Sequence, residues 1–136
     1  MKEAAPIVLR IAVSLVFLWF GSQQIMNTKM WLSFVPDVAV SMSGLTASTL
    51  VHFNGALEIV FGLALIAGFF TRISALVLAL HLFGITMTLG LSPIGVRDFG
   101  LSFATLAVFL YGCDSLSLDV RFKKTVSEES SPSVQS

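Results

Sequence analysis

The sequence predicts an all-α fold, a bundle of four transmembrane helices, and three observations point to it. Of its 136 residues, 55% are hydrophobic and 12% charged, about half the charged share of an ordinary soluble domain. A soluble domain this small exposes much of its chain and needs polar residues to cover it. The apolar residues gather into four segments, each near the 17 to 25 residues that cross a bilayer as a helix. None alternates as barrel strands do, and only helices or closed barrels satisfy the backbone in hydrocarbon.

The first segment runs from Pro6 to Met26. It is longer than a signal-peptide core and has no small-residue cleavage site at its end, so it reads as a span. A long connection from Asn27 to Ser48 follows, containing Trp31, Pro36 and Asp37. It is expected to lie along the membrane interface, with Trp31 at headgroup level. The second and third segments, Thr49 to Phe70 and Ile73 to Leu91, meet near Thr71 and Arg72, so they form an antiparallel hairpin. Ser92, Pro93, Ile94 and Gly95 then make a tight turn into the last segment, Val96 to Cys113. Residues 1–120 make one membrane domain, and 121–136 make a tail. The tail is basic at Arg121, Lys123 and Lys124, then rich in Ser and Glu and predicted to be disordered.

Charge sets the orientation. With the N-terminus in the cytoplasm, Lys2, Arg10, Arg72, Arg121, Lys123 and Lys124 fall inside, and Lys29 and Arg97 outside. That excess predicts both termini inside, and it makes the long connection extracytoplasmic. A formal net charge of zero leaves no footprint for nucleic acid. The single cysteine, Cys113, excludes an internal disulfide, a dithiol pair and a cysteine-built metal site. His52 and His81 sit at different depths, poorly levelled for one iron, so neither haem nor metal is predicted.

Polar residues inside the spans carry the chemistry, because each costs about 2.5 to 3.5 kcal/mol at a helix centre if it is charged. At 100° per residue they form one face per helix. Arg10, Ser14, Phe17, Gly21 and Gln24 share a face of span one; Asn54, Gly55, Glu58 and Gly62 share one of span two. Span three offers Ser74, His81, Gly84 and Thr88, and span four offers Asp98, Ser102, Thr105 and Gly112, with Arg97 beside Asp98. These faces are expected to point inward, where Gly and Ser let backbones approach. Glu58 and His81 each lie about nine residues into a span, roughly 13 Å deep at the helical rise. They are expected at matching depth, near the midplane and within reach of each other. Arg97, Asp98, Gln24 and Asn54 fall nearer the outer boundary, so the polar groups converge on the outer half of the bundle.

Two roles are open to Glu58: proton transfer or ligand contact, and structural pairing with Arg97 or Arg10. His81 is likewise open to interhelical hydrogen bonding or to proton relay. Arg10 lies near enough to the inner surface to snorkel. Arg72 and the basic tail read as anchors, Trp31 as an interface residue, and Cys113 as a packing residue.

The run Glu58-Ile-Val-Phe-Gly-Leu-Ala-Leu-Ile-Ala-Gly-Phe-Phe-Thr-Arg72 resembles the central signature of the DoxX-like (DoxX/DoxD) membrane proteins. Arg10 with Gly21, Arg97-Asp98-Phe-Gly-Leu, and Gly112 followed by Ser117-Leu118-Asp119 are similar to the family's flanking segments. Gln23-Gln24 stand where relatives carry Lys, and Cys113-Asp114 where they carry Pro-Gly. The resemblance implies a multi-pass protein of a bacterial or archaeal plasma membrane, working beside redox chemistry. It implies a subunit or accessory protein of a quinone-linked system, related to thiosulfate oxidation or oxidative stress. On that reading Glu58 and His81 are the catalytic candidates, and Asn54, Arg97, Asp98, Gln24 and Arg10 are the ligand-binding ones. A quinone is the one cofactor implied, none being bound covalently, and electrons come from a partner or an anionic donor. Expected partners are the lipid bilayer and a soluble or membrane oxidoreductase, and self-association stays open. The alternative is a non-enzymatic scaffold that recruits a soluble oxidoreductase through the long connection and the tail.

Overall fold

The computed structural model describes residues 4–130 and contains seven α-helices, with no strand among the described residues. In chain order these are α1 (Ala4–Met26), α2 (Thr28–Trp31), α3 (Asp37–Ser43), α4 (Ala47–Ala67), α5 (Thr71–Leu89), α6 (Pro93–Tyr111) and α7 (Leu118–Glu129). A 3₁₀ turn at Leu32–Phe34 stands between α2 and α3. Helices α1, α4, α5 and α6 are long and apolar enough to cross a membrane, and each begins and ends within a few residues of a predicted segment. Only 28% to 33% of the most apolar stretch of each is buried. Their outer faces carry Leu15, Trp19, Phe53, Val60, Leu80 and Leu110, each more than half exposed. Apolar surface of that extent suits acyl chains and is rare on water-soluble monomers.

The turns follow from local chemistry. Thr46 caps α4 by accepting from the Thr49 N–H at 3.2 Å, and Ser92 caps α6 by accepting from the Gly95 N–H at 3.0 Å. Pro93 takes the first turn of α6, where its missing N–H costs nothing. Gly68, at φ +73°, closes α4 in a Schellman arrangement. Its N–H bonds the Leu65 carbonyl at 3.1 Å, and the Phe69 N–H bonds the Ala64 carbonyl at 2.9 Å. Three residues then separate α4 from α5, which enforces the predicted hairpin.

Packing pairs α1 with α4 and α5 with α6, and the two pairs close into a bundle. The α1–α4 contact depends on Gly21 and Gly55. A Cβ on either would lie 2.8 Å from the other's carbonyl oxygen, so the backbones meet with no room for a side chain. Val13, Phe17, Leu65, Ala75, Leu78, Leu82 and Val108 make the apolar core.

The inward faces predicted for α1, α4 and α6 are buried, apart from a half-buried Asn54. On α5 the prediction needs correction. Its seam runs through Ser74, Leu78, Leu82 and Thr86, while Gly84 and Thr88 are exposed and His81 is half-buried. The apolar core claims the centre of that helix and pushes the polar stripe aside. The connection from Asn27 to Ser48 has regular structure of its own. It folds into two short helices and a 3₁₀ turn, and it turns Trp31 inward onto Phe20, with ring centroids 5.7 Å apart. The tail differs too, since α7 continues through Ser127, Glu128 and Glu129, where composition predicts disorder. The rest of that run, 131–136, lies outside the described residues.

Candidate functional site

A cavity of about 240 Å³ opens among α1, α4, α5 and α6 beneath the α1–α4 connection. Phe17, Leu82, Ile85 and Leu101 supply apolar wall, and Trp31, Phe34 and Pro36 of the connection lie over it. Six of the predicted site residues line it: Gln24, Asn54, Glu58, His81, Arg97 and Asp98.

Four of the six form one hydrogen-bonded cluster drawn from three helices. Gln24 donates from Nε2 to Glu58 Oε2 at 2.9 Å. Asn54, one helical turn before Glu58, donates from Nδ2 to Gln24 Oε1 at 2.6 Å and to Glu58 Oε1 at 3.2 Å. Asn54 Oδ1 in turn accepts from His81 Nε2, which fixes the proton on that ring nitrogen. Glu58 is only 3% exposed, so neighbouring helices shield it from lipid. Every polar contact it makes is to a neutral amide. Its carboxyl can therefore exchange a proton without breaking an ion pair.

Of the two arginine pairings that the sequence left open for Glu58, neither is formed. Among the described residues no ion pair joins Glu58 to an arginine: Arg97 pairs with Asp98 and Arg10 with Asp114. Glu58 and His81 come to the same cavity, as their depths predict, but Asn54 stands between them and they do not bond directly. The interhelical hydrogen bond expected of His81 is present. Arg97 reaches Asp98 Oδ1 with Nε at 2.8 Å and Nη2 at 2.6 Å, and its guanidinium carbon lies 4.1 Å from the Phe20 ring centroid. The buried Asp98 and the aromatic face thus hold the cation at the cavity wall, although its side chain stays 40% exposed.

Arg10 is the exception. It lines no part of this cavity and does not snorkel; it is 2% exposed. Its Nε and Nη2 form a fork on Asp114 at 2.6 and 3.2 Å. Its Nη1 donates to the Leu65 and Ile66 carbonyls at 2.8 and 2.6 Å. Those carbonyls belong to the last turn of α4, where Leu65 also accepts from the Gly68 N–H, so the guanidinium completes that helix end and ties it to the turn after α6. In this geometry Arg10 is a structural fastener set apart from the cavity.

A second polar joint lies beside it. Asp119 accepts from the Phe70 and Thr71 N–H groups at 2.9 and 2.8 Å and from the Thr71 hydroxyl at 3.0 Å. It caps α5 from 48 residues away. Partial burial pushes its carboxyl up, but the hydrogen bonds from Thr71 and Phe70 outweigh that and hold it below the usual carboxylate range. Cys113 donates to Asp119 at 3.5 Å, and burial together with that neighbouring carboxylate pushes its thiol up. Nothing in the local sequence pattern marks the Asp114 and Asp119 pairings. The aromatic roof was foreshadowed only by Trp31 itself.

Four apolar crossing helices around an internal polar cluster define a small multi-pass membrane protein with a central cavity. The DoxX family model matches residues 5–91, which covers nearly all of α1 through α5 and four of the six polar cavity residues, Gln24, Asn54, Glu58 and His81. The chain belongs to the DoxX family. No curated protein and no solved structure matches it.

Proposed function

We propose that this chain is the membrane-embedded subunit or accessory protein of a quinone-linked redox system. It would sit in a bacterial or archaeal plasma membrane with both termini in the cytoplasm. One observation carries the reading: an apolar cavity within the spans is lined by a buried carboxyl held by neutral amides, an imidazole and an arginine. The residues suit a quinone head group, which needs flat apolar walls and polar hydrogens near its carbonyls. Asn54, His81, Gln24 and Arg97 would hold it, and Phe17, Leu82 and Trp31 would enclose it. When bound, a quinone supplies a two-electron acceptor that also takes up protons.

The chain's residues have distinct parts in this proposal. Glu58 holds or releases a proton at its carboxyl. His81, with its proton on Nε2, does the same at the other side of Asn54, so the two act on the cavity separately. Asn54 and Gln24 position the carboxyl and leave it free of ion pairing. Arg97, steadied by Asp98 and Phe20, offers charge to an anionic electron donor such as thiosulfate. Trp31 and Phe34 limit water entry from the connection side.

Quinone-dependent turnover in membranes tests the proposal. Glu58→Gln and His81→Ala are expected to abolish turnover while the protein accumulates normally. Retained turnover in both variants would overturn it. Loss of protein in both, with capture of a soluble oxidoreductase depending on the connection, would instead support the scaffold reading.

A further inference from the structure

Helix α7 plays no part in the cavity, yet its pattern is ordered. Leu118, Phe122 and Val126 recur one turn apart and lie within about 80° on one side. Arg121 and Lys123 fall about 100° to either side of the centre of that stripe, and Lys124 falls behind it. The bundle leaves the stripe uncovered: Phe122 is 61% and Val126 65% exposed. Glu129 returns to the apolar side and ends the stripe after Val126.

The attachment of α7 indicates what covers it. Asp119 caps α5, and its own N–H bonds the Gly68 carbonyl at 3.0 Å, so the helix starts at the α4–α5 turn where two spans end. A groove there is lined by Phe69, Phe70, Ile73 and Phe122 together with Arg72 and Lys123. Gly112 lets Arg72 lie across the end of α6, since a Cβ there would come 2.6 Å from Arg72 Nε. Apolar side chains thus stand at the height where spans leave hydrocarbon, bordered by cations. Basic residues flanking an apolar stripe at that height match an anionic lipid surface. We infer that α7 is an interfacial helix that docks on anionic phospholipid. Phe122 and Val126 sit below the headgroups, and Arg72, Arg121 and Lys123 lie against the phosphates.

The test uses the full chain with Cys113→Ser and a nitroxide placed through Phe122→Cys, Lys124→Cys or Val126→Cys. Each is reconstituted in nanodiscs of phosphatidylcholine alone or mixed with phosphatidylglycerol. In the mixture, positions 122 and 126 are expected to be shielded from a water-soluble relaxing agent and 124 accessible. Arg121→Gln with Lys123→Gln is expected to lower the docked-to-free ratio about twenty-five-fold, at about fivefold per cation. Equal access at all three positions overturns the inference. So does shielding that ignores both the anionic lipid and the two cations, or shielding that grows with protein density in the disc, which would mark contact between copies.

Discussion

Replacing Arg10 by Met should destabilise the bundle far more than loss of a snorkelling anchor would. The substitution removes four hydrogen bonds: two to Asp114 and two to the carbonyls of Leu65 and Ile66. Asp114, 4% exposed, would keep only the Leu116 N–H at 3.0 Å as partner to its carboxyl. Removing one partner of a buried ion pair costs about 3 to 5 kcal/mol, because the other charge stays in place without compensation. Adding Asp114→Leu removes that stranded charge. The double variant should regain about half of the loss or more, the remainder being the Ile66 carbonyl left without a partner, at about 1 kcal/mol or more, since Leu65 keeps the Gly68 N–H. Reversible unfolding in mild detergent, run as a double-mutant cycle, measures this. Arg10→Lys keeps the charge without the fork and should fall between the wild type and Arg10→Met. A loss below about 1 kcal/mol for Arg10→Met, with additive effects in the cycle, would refute the fastener reading.

Three further outcomes follow from other contacts. Gly55→Val places a side chain against the Gly21 carbonyl and Gln24; it should cost about 1 to 3 kcal/mol in the same assay by forcing α1 from α4. Asp119→Ala removes the acceptor that caps α5 and should cost about 1 kcal/mol. Because the folded Asp119 carboxyl is held below its ordinary value, its contribution is present above about pH 4, the unfolded carboxylate pKa. It is lost as pH falls through the lower folded value, so the gap between wild type and variant should close in acid. Cys113 should alkylate more slowly at pH 8 than a free thiol, because burial and Asp119 raise it, and Asp119→Asn should speed the reaction.

How far the sequence foretold this architecture depends on the residue. Span positions were legible because bilayer thickness fixes helix length, and α1, α4 and α6 showed their inner faces through regular spacing of polar and small residues. Gln24, Asn54, Glu58, His81, Arg97 and Asp98 could be brought to one region by counting depth along antiparallel helices. Partner choice could not be counted in that way. Depth placed Glu58 near His81, but only coordinates show Asn54 bridging them. Arg10 finds Asp114 across 104 residues, and nothing local marks that pairing. On α5, side-chain volume rather than polarity decides what is central, so Leu78 and Leu82 displace Gly84 and Thr88. The helical spacing of Leu118, Phe122 and Val126 was present in the tail, but its Ser and Glu content masked it.

Tryptophan fluorescence tests the cavity most directly. Trp31 lines it and Trp19, 63% exposed, faces outward, so Trp19→Phe leaves one reporter at the roof. A short-chain quinone titrated into that variant in nanodiscs should quench Trp31 along a saturable curve that Glu58→Ala with His81→Leu abolishes. Quenching that rises linearly with quinone, unchanged by those substitutions, would show simple partition into lipid and contradict the account.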